Sequence, residues 1–329
     1  MSNSNSMAVR LLALTLMVVS APAQITVRLC GSSPRYTRLL ASATYRTMME
    51  GAEQRVQQQF GLLGVGEQPT YGALTIRAVV HVLYNVGTAT SPSVGKVSQE
   101  QVDSQIAALN RDYGPAPEDR TQPIVPLRFR DRFGYPNIKF VLESAEWVQT
   151  KATVFTDADN AMMKPDGSPP RDRNHYLNIW VVPRLEDSDH NGLLGYSSWP
   201  GEPADRDGVV IFHAAFGTNG TAMAPFDLGH TASHEIGHWL NLHHLWGDGA
   251  DNPGCRADDM VEDTPKQNGP TQTCPAPSDE IPACDGSPDG AMFPNFLDYT
   301  QDACMSMFTL RQVVRMRTAL EQFRPQMGR

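Results

Sequence analysis

The stretch "HEIGHWLNLHH", from His234 to His244, constrains this chain more than any other feature. His234 and His238 are four residues apart, so on a helix their imidazoles project from one face, one turn apart. Glu235 then lies beside the first imidazole, where it can reach a metal-activated water rather than the metal. The spacing therefore predicts a helix that carries two zinc ligands and a general base.

A third ligand must come from beyond this helix, because catalytic zinc usually takes three protein ligands and keeps one position for water. His243 and His244 both follow the motif, but a continuous helix would carry both away from the ion. Asn241 tolerates the left-handed conformation, so the chain can turn there. The resulting spacing selects His244 as the third ligand.

The N-terminus has the pattern of a secretory signal. Arg10 precedes an apolar run from Leu11 to Val19, and small residues end at Ala23. The run is too short for a transmembrane helix, so residues 1–23 are predicted to be a signal peptide and the mature protein to be secreted and not membrane-bound. The net charge of -9 argues against a nucleic-acid partner, because binding polyanions needs concentrated Lys and Arg.

Export implies an oxidising compartment, so the five cysteines are interpreted as a disulfide framework with one thiol left over. Cys255, Cys274, Cys284 and Cys304 cluster in the last quarter of the chain, and spacing alone allows three pairings. Cys30 stands apart in "VRLCGSS".

The rest of the chain divides into a leader and a larger domain. "PRYTRLLASATYRTMMEGAEQRVQQQF" is typical of an exposed amphipathic helix and ends in a glycine-rich segment. We expect a pro-segment at 24–66, with its boundary somewhere in 54–71, and a catalytic domain at 67–329. Within that domain the sequence predicts strands at "LTIRAVVHVLY", "IKFVLE", "YLNIWVV" and "GVVIFH", helices at "VSQEQVDSQIAALNRDY" and "TLRQVVRMRTALEQF", and a cap for the zinc helix at Thr231 or Ser233.

Several of these blocks, with "HEIGHWLNLHH", resemble the pappalysin family of metzincin zinc peptidases, whose usual motif is H-E-[IV]-G-H-x-L-G-L-x-H. The blocks "RAVVHVLYN", "DGVVIFHAAFGT", "EDTPK" and "NFLDYTQDACMSMFTLRQVVRM" follow the family order, and the resemblance covers roughly Leu74 to Met316. It implies an α+β fold: a mixed twisted sheet and an active-site helix in the N-terminal half, and an irregular, disulfide-stapled C-terminal half that ends in a helix.

The sequence departs from the family pattern at two positions. Asn241 replaces the family's glycine, at a cost of about 1 kcal/mol in a left-handed conformation. Leu297 occupies the methionine position of the Met-turn, where a change that conserves volume costs less than about 1.5 kcal/mol. Both changes are compatible with an intact zinc site.

The resemblance also implies a reaction, the hydrolysis of peptide bonds in protein or peptide substrates. Zinc would activate a water, Glu235 would act as general base, and Tyr299 would donate to the oxyanion. Asp302 would lie at the base of the S1' pocket and favour arginine, or lysine, after the cut. An alternative is a secreted zinc-containing binding module without turnover.

Three further assignments come from the resemblance. The disulfides would be Cys255–Cys284 and Cys274–Cys304. Cys30, as a thiolate, would bind the zinc and make the pro-segment an inhibitor of its own enzyme. Structural calcium would be bound by Asp259, the backbone carbonyl of Glu262, and Thr264, although a solvated acidic loop is the alternative there.

Overall fold

The computed structural model describes residues 26–64, 67, 70–87, 94–115, 125–158, 160–162, 165–189, 191–248, 255–284 and 286–328, so the predicted signal peptide lies outside the described residues. The helices are α1 (Ser32–Leu40), α2 (Ala43–Gly61), α3 (Gln99–Tyr113), α4 (His230–Trp239) and α5 (Leu310–Phe323). The strands are β1 (Leu74–Tyr84), β2 (Phe133–Gly134), β3 (Ile138–Gln149), β4 (Phe155–Thr156), β5 (Tyr176–Val182), β6 (Leu185–Glu186), β7 (Gly195–Ser197), β8 (Val209–Phe212) and β9 (Phe308–Thr309). Among the described helices, none has the length and apolarity needed to cross a membrane.

The main sheet has the strand order β3-β1-β5-β8-β7. Its first four strands are parallel, and β7 runs antiparallel to β8 at the edge. The central strands β1 and β5 are nearly continuous apolar runs, as expected for parallel strands covered on both faces. The sheet is therefore mixed, and the predicted α+β class is confirmed.

One apolar core joins the regular half to the irregular half. Ile179 of the sheet, Ile236 of α4, Leu297 of the Met-turn position and Met316 of α5 all belong to it, and each is fully buried. The C-terminal half is mostly loops, and its disulfides link Cys255 to Cys284 and Cys274 to Cys304. These are the pairs that the family resemblance implies.

The leader differs from the single exposed helix that its sequence predicts. It forms two helices, because the chain breaks at residues 41–42 and Ser42 caps the second by accepting from the Tyr45 N–H. Helix α2 is not free in solvent, since Val56 and Phe60 pack against Val314 of α5.

Candidate metal centre and active site

Helix α4 carries the motif, and it begins earlier than the sequence predicts. Its N-cap is Gly229 at φ 80°, so the prediction of a cap at Thr231 or Ser233 is wrong. Both side chains lie inside the helix and bond elsewhere: the Ser233 hydroxyl donates to Asp112 at 2.5 Å, and Thr231 Oγ1 accepts from Arg28 at 3.0 Å.

The chain leaves α4 through a sharp turn at Asn241. Its φ of 71° lies in the left-handed region, which asparagine tolerates better than other residues with a Cβ. The Leu242 N–H donates back to the Gly237 carbonyl at 2.9 Å and closes the turn. The turn returns His244 to the two imidazoles of the helix.

The three histidine Nε2 atoms of His234, His238 and His244 form a triangle with every side 3.2 Å. Zn–N distances of about 2.0–2.1 Å in tetrahedral geometry place neighbouring ligand nitrogens about 3.3 Å apart. All three imidazoles are fully buried. The donor set therefore fits a zinc ion with three histidine ligands.

The outer nitrogens fix the tautomers that this arrangement requires. Nδ1 of His234 donates to the Phe296 carbonyl at 2.7 Å, and Nδ1 of His238 donates to the Leu242 carbonyl at 2.8 Å. Burial, together with the neighbouring imidazoles, lowers the pKa of His234 well below its ordinary value and that of His238 to about 3. Both imidazoles therefore stay neutral, with a lone pair on Nε2, which is the form that binds a metal.

Cys30 is the fourth donor of the cluster. Its Sγ and the three imidazole nitrogens all lie within 4.8 Å of one another. Burial first, and then the nearby Glu235, raises the pKa of the thiol well above its ordinary value. Cys30 is held here because the leader pairs with the edge strand β7: it forms a parallel bridge with Gly195, whose carbonyl accepts from the Gly31 N–H at 3.0 Å.

Glu235 lies beside these donors with its carboxylate inside the cleft. A side chain on Gly195 would meet it at 2.8 Å, so the glycine makes room for the carboxylate. Oε2 accepts from the Ser32 hydroxyl at 2.9 Å and lies 3.4 Å from Cys30 Sγ. Burial raises the pKa of Glu235 to about 7, which is near the value that suits a base at neutral pH.

Tyr299 and Leu297 approach the cluster from the irregular half. The Tyr299 ring packs edge-on against His244 at 5.0 Å, and its phenol interacts with the backbone of Cys30. Leu297 is fully buried. A Cβ atom added to Gly237 of α4 would lie 3.1 Å from Leu297 Cδ2. Leucine thus fills the methionine position beneath the helix.

Asp302 lies at the end of a buried pocket that the leader fills. Arg28 Nη2 donates to Asp302 Oδ1 at 2.6 Å, and Arg28 Nε donates to the Thr300 carbonyl at 3.3 Å. The guanidinium also lies over the Phe226 ring at 5.0 Å. Asp302 Oδ2 is held by the Leu228 N–H at 2.8 Å, so the carboxylate is fixed and faces the guanidinium.

The sequence predicts no role for four residues of this site. Arg28, Ser32 and Ser33 belong to the leader, and Asp248 follows the third histidine. Ser33 Oγ contacts His244 Nδ1 at 3.0 Å and donates to Asp248. The arginine of the R-x-C-G pattern was the one available signal, since an arginine two residues from a cysteine that lies at the histidine cluster falls within reach of the neighbouring pocket.

The loop predicted to bind calcium folds around the buried Asp259. The Thr264 hydroxyl donates to Asp259 Oδ1 at 2.8 Å, and the Val261 N–H donates to the same oxygen at 3.1 Å. Burial and the adjacent Asp258 raise the pKa of Asp259 well above its ordinary value. The Glu262 carboxylate pairs with Arg311 at 3.1 Å. The backbone carbonyl of Glu262 is therefore the oxygen that this residue would offer to a cation in the loop.

Comparison with known proteins places this geometry in a family. The model of the peptidase M43 family, described as pregnancy-associated plasma protein-A, matches residues 169–321. An extracellular metalloprotease of Pyricularia oryzae is 30% identical over 95% of this chain and 96% of its own length. An extracellular metalloprotease of Arthroderma otae is also 30% identical, over 83% of this chain and 88% of its own.

Solved structures of mirolysin from Tannerella forsythia share the fold. Mature mirolysin in complex with a cleaved peptide is 35% identical, with a TM-score of 0.69, and covers 79% of this chain and 97% of its own. A promirolysin mutant is 32% identical, with a TM-score of 0.74, and covers 91% of this chain and 96% of its own. The pro-form thus extends over more of this chain than the mature form.

Proposed function

This chain belongs to the pappalysin family of metalloproteases, and on that premise we propose that it is a secreted, zinc-dependent endopeptidase made as a latent zymogen. The observation that carries the proposal is the equilateral triangle of three buried imidazole nitrogens, 3.2 Å apart, with a buried carboxylate beside it. His234, His238 and His244 would hold the zinc. Bound there, zinc supplies a Lewis acid that polarises the scissile carbonyl and lowers the pKa of water at its open position.

Glu235 would act as the general base. Its carboxylate lies in the cleft beside the metal donors, and burial raises its pKa, which favours taking a proton from water and passing it to the leaving amine at neutral pH. Tyr299 would donate to the oxyanion, since its ring lies against the ligand His244.

Asp302 would select arginine just after the cut. Arg28 supports this assignment, because a guanidinium already fits the pocket with bonds to Asp302, Thr231 and the Thr300 carbonyl. Lysine carries its charge at one point and cannot make the same set of bonds at once. We expect arginine to be preferred over lysine, and lysine over alanine.

The leader would inhibit by occupying the cleft in the reverse direction. In a substrate with arginine in this pocket, the attacked carbonyl belongs to the residue before the arginine. In the leader, the residue at the metal is Cys30, which follows Arg28. The leader therefore fills the metal position and the specificity pocket without presenting a bond in the order needed for cutting.

Maturation would remove residues 24–66, with the cut somewhere in 54–71. An arginine-selective enzyme could cut its own chain before Arg55, but Arg55 lies in the middle of α2, so the bond before it cannot adopt an extended conformation unless the helix unwinds. A first cut after Gly61, where α2 ends, requires no unwinding.

We further propose a structural calcium ion bound by Asp259, the Glu262 carbonyl and Thr264. A buried carboxylate whose pKa is raised by burial and by a neighbouring acid lacks a countercharge, which a cation would supply. EGTA removes both calcium and zinc, so the melting temperature of the EGTA-treated, processed enzyme is measured after zinc has been restored, with and without added calcium. Added calcium should raise the melting temperature, and an unchanged melting temperature would argue against this ion.

Turnover is favoured over a binding module without activity. Asn241 makes the required turn at φ 71°, and Leu297 remains buried beneath the helix. Neither departure from the family pattern disturbs the arrangement of the imidazoles. A buried base and a thiol aimed at the metal position have no purpose in a module that only binds.

The test is a set of peptides that differ only in Arg, Lys or Ala after the bond, incubated with zinc-loaded, processed protein. We expect cutting before Arg, with Glu235→Ala slowing it by about 10²–10⁴-fold or more. Asp302→Asn should remove the preference for Arg. Zinc bound stoichiometrically without any cutting would favour the binding module, and equal cutting of the Arg and Ala peptides would rule out the Asp302 pocket.

A further inference from the structure

Asp248 lies four residues after His244, and its side chain is completely buried beside that imidazole. Its Oδ1 accepts from His244 Nδ1 at 2.6 Å. Its Oδ2 accepts from His243 Nδ1 at 2.9 Å and from the His244 backbone N–H at 3.2 Å. The carboxylate is thus bonded through both oxygens to the segment that supplies the third ligand.

This arrangement sets His244 apart from the other two ligands. His234 and His238 donate their outer nitrogens to neutral backbone carbonyls, whereas His244 donates to a carboxylate. Hydrogen bonds to an ionised acceptor are shorter and stronger than neutral ones. A carboxylate behind a ligand imidazole fixes its tautomer and increases its basicity toward the metal.

His243 holds the carboxylate in place. Its ring stacks on Trp199 at 4.9 Å, a contact that remains after the leader is removed, so the ring cannot turn freely. Its Nδ1 is directed at Asp248 Oδ2. His243, which is not a ligand, therefore fixes the Asp248 carboxylate that accepts from the ligand His244.

We propose that Asp248 is a positioning residue for zinc, which holds His244 in its ligating orientation and strengthens the grip of the site on the ion. The inference rests on the zinc site of the proposed function. It concerns His244 specifically, because this ligand lies outside α4 and no helix fixes its position. A carboxylate anchored through both oxygens replaces the support that a helix gives to the other two ligands.

The experiment measures zinc affinity directly, by competition with a chromophoric chelator. The processed enzyme is used because Ser33 of the leader also contacts Asp248 and His244. The variants are Asp248→Ala, which removes the acceptor, and Asp248→Asn, which keeps the volume but removes the charge. The melting temperature of each zinc-free protein is recorded beside its zinc dissociation constant.

Asp207→Asn is the matched control. Asp207 is also fully buried and accepts from Arg324 at 2.8 Å and from Trp239 Nε1 at 2.8 Å, but it contacts none of the three ligand imidazoles. We expect this variant to melt at a lower temperature and to bind zinc as tightly as the wild type. This variant shows how a loss of fold stability alone changes the measured zinc dissociation constant.

For Asp248→Ala we expect the zinc dissociation constant to rise by about 10–100-fold, and for Asp248→Asn by a smaller factor. If Asp248→Ala does not fold, Asp248→Asn decides the question. An unchanged dissociation constant would overturn the proposal, and so would an equal rise in Asp207→Asn. If the wild type itself binds no zinc, the proposed function fails, whereas a zinc-loaded, active wild type with unaffected variants refutes only the role of Asp248.

Discussion

The leader packs against the rest of the chain through two parts, and the main forces in these parts differ. The cleft segment, residues 28–33, bonds buried polar groups: Asp302, Glu235 and the metal cluster. The C-terminal part of helix α2 packs the apolar side chains of Val56 and Phe60 against Val314 of α5. Removing a partner from a buried charge leaves that charge uncompensated, whereas removing apolar contact costs only in proportion to the area. The cleft segment should therefore determine latency, and α2 should determine how firmly the leader is held.

The largest effect on latency is expected from Cys30→Ala. Without the thiol, nothing in the cleft segment can bind the zinc, so the unprocessed chain should cut a small Arg peptide at a rate approaching that of the processed enzyme. Initial rates are measured before any shortening of the chain is visible on a gel. A Cys30→Ala chain that stays fully latent would show that the other contacts of the leader suffice.

Arg28→Ala should have the next largest effect. It removes charge-assisted hydrogen bonds worth about 1.5–3 kcal/mol, so the open fraction of the zymogen should rise by about 10–100-fold. The same initial-rate assay measures it. Arg38→Ala is the control, since Arg38 pairs with Asp157 at 2.8 Å but is 54% exposed, and it should change the rate by less than about 5-fold.

Phe60→Ala tests the contribution of helix α2. Phe60 is 3% exposed and packs against α5, so its truncation should destabilise the docking of α2 by about 3–5 kcal/mol. Because the chain breaks between α1 and α2, we expect faster proteolysis of α2 by added trypsin with little gain of activity on the Arg peptide. Activity equal to that of Cys30→Ala would contradict the division into two parts.

The smallest effect concerns the ion pair between Glu53 of α2 and Arg315 of α5. Burial alone would raise the pKa of Glu53, but Arg315 outweighs it and holds the pKa below its ordinary value of 4.5. The pair therefore stabilises α2 above pH 4.5 and is lost as the pH falls through the lower, folded-state pKa. Wild-type α2 should therefore resist proteolysis better than α2 of Glu53→Gln above pH 4.5, and this difference should disappear in the acid range. Pepsin is the protease for the acid measurements, because trypsin is inactive there.

The sequence predicted the regular elements and the metal motif well. Strands β1 and β5 begin and end where their apolar runs do, because a nearly continuous apolar run is stable as a strand that is buried on both faces of a parallel sheet. The turn at Asn241 also followed from the sequence, since His244 follows His238 so closely that it can reach the same ion only if the chain turns sharply between them.

The contacts between distant segments could not be predicted in the same way. The cap of α4 is a left-handed glycine, and Thr231 and Ser233 serve partners more than a hundred positions away in the chain. Helix propensity depends on neighbouring residues in the chain, so it cannot predict such distant partners. Asp248 was missed for a related reason: it follows the motif as an ordinary loop acid, and only the three-dimensional turn brings it behind His244.

The most direct test of this account compares unprocessed and processed wild-type protein, each loaded with zinc, on the same Arg peptide. We expect the processed form to bind zinc stoichiometrically and to cut rapidly before Arg. We expect little cutting by the unprocessed form. Equal rates from both forms would contradict the claim that residues 28–33 close the cleft, and zinc-loaded processed protein that cuts nothing would contradict the claim that this chain is a protease.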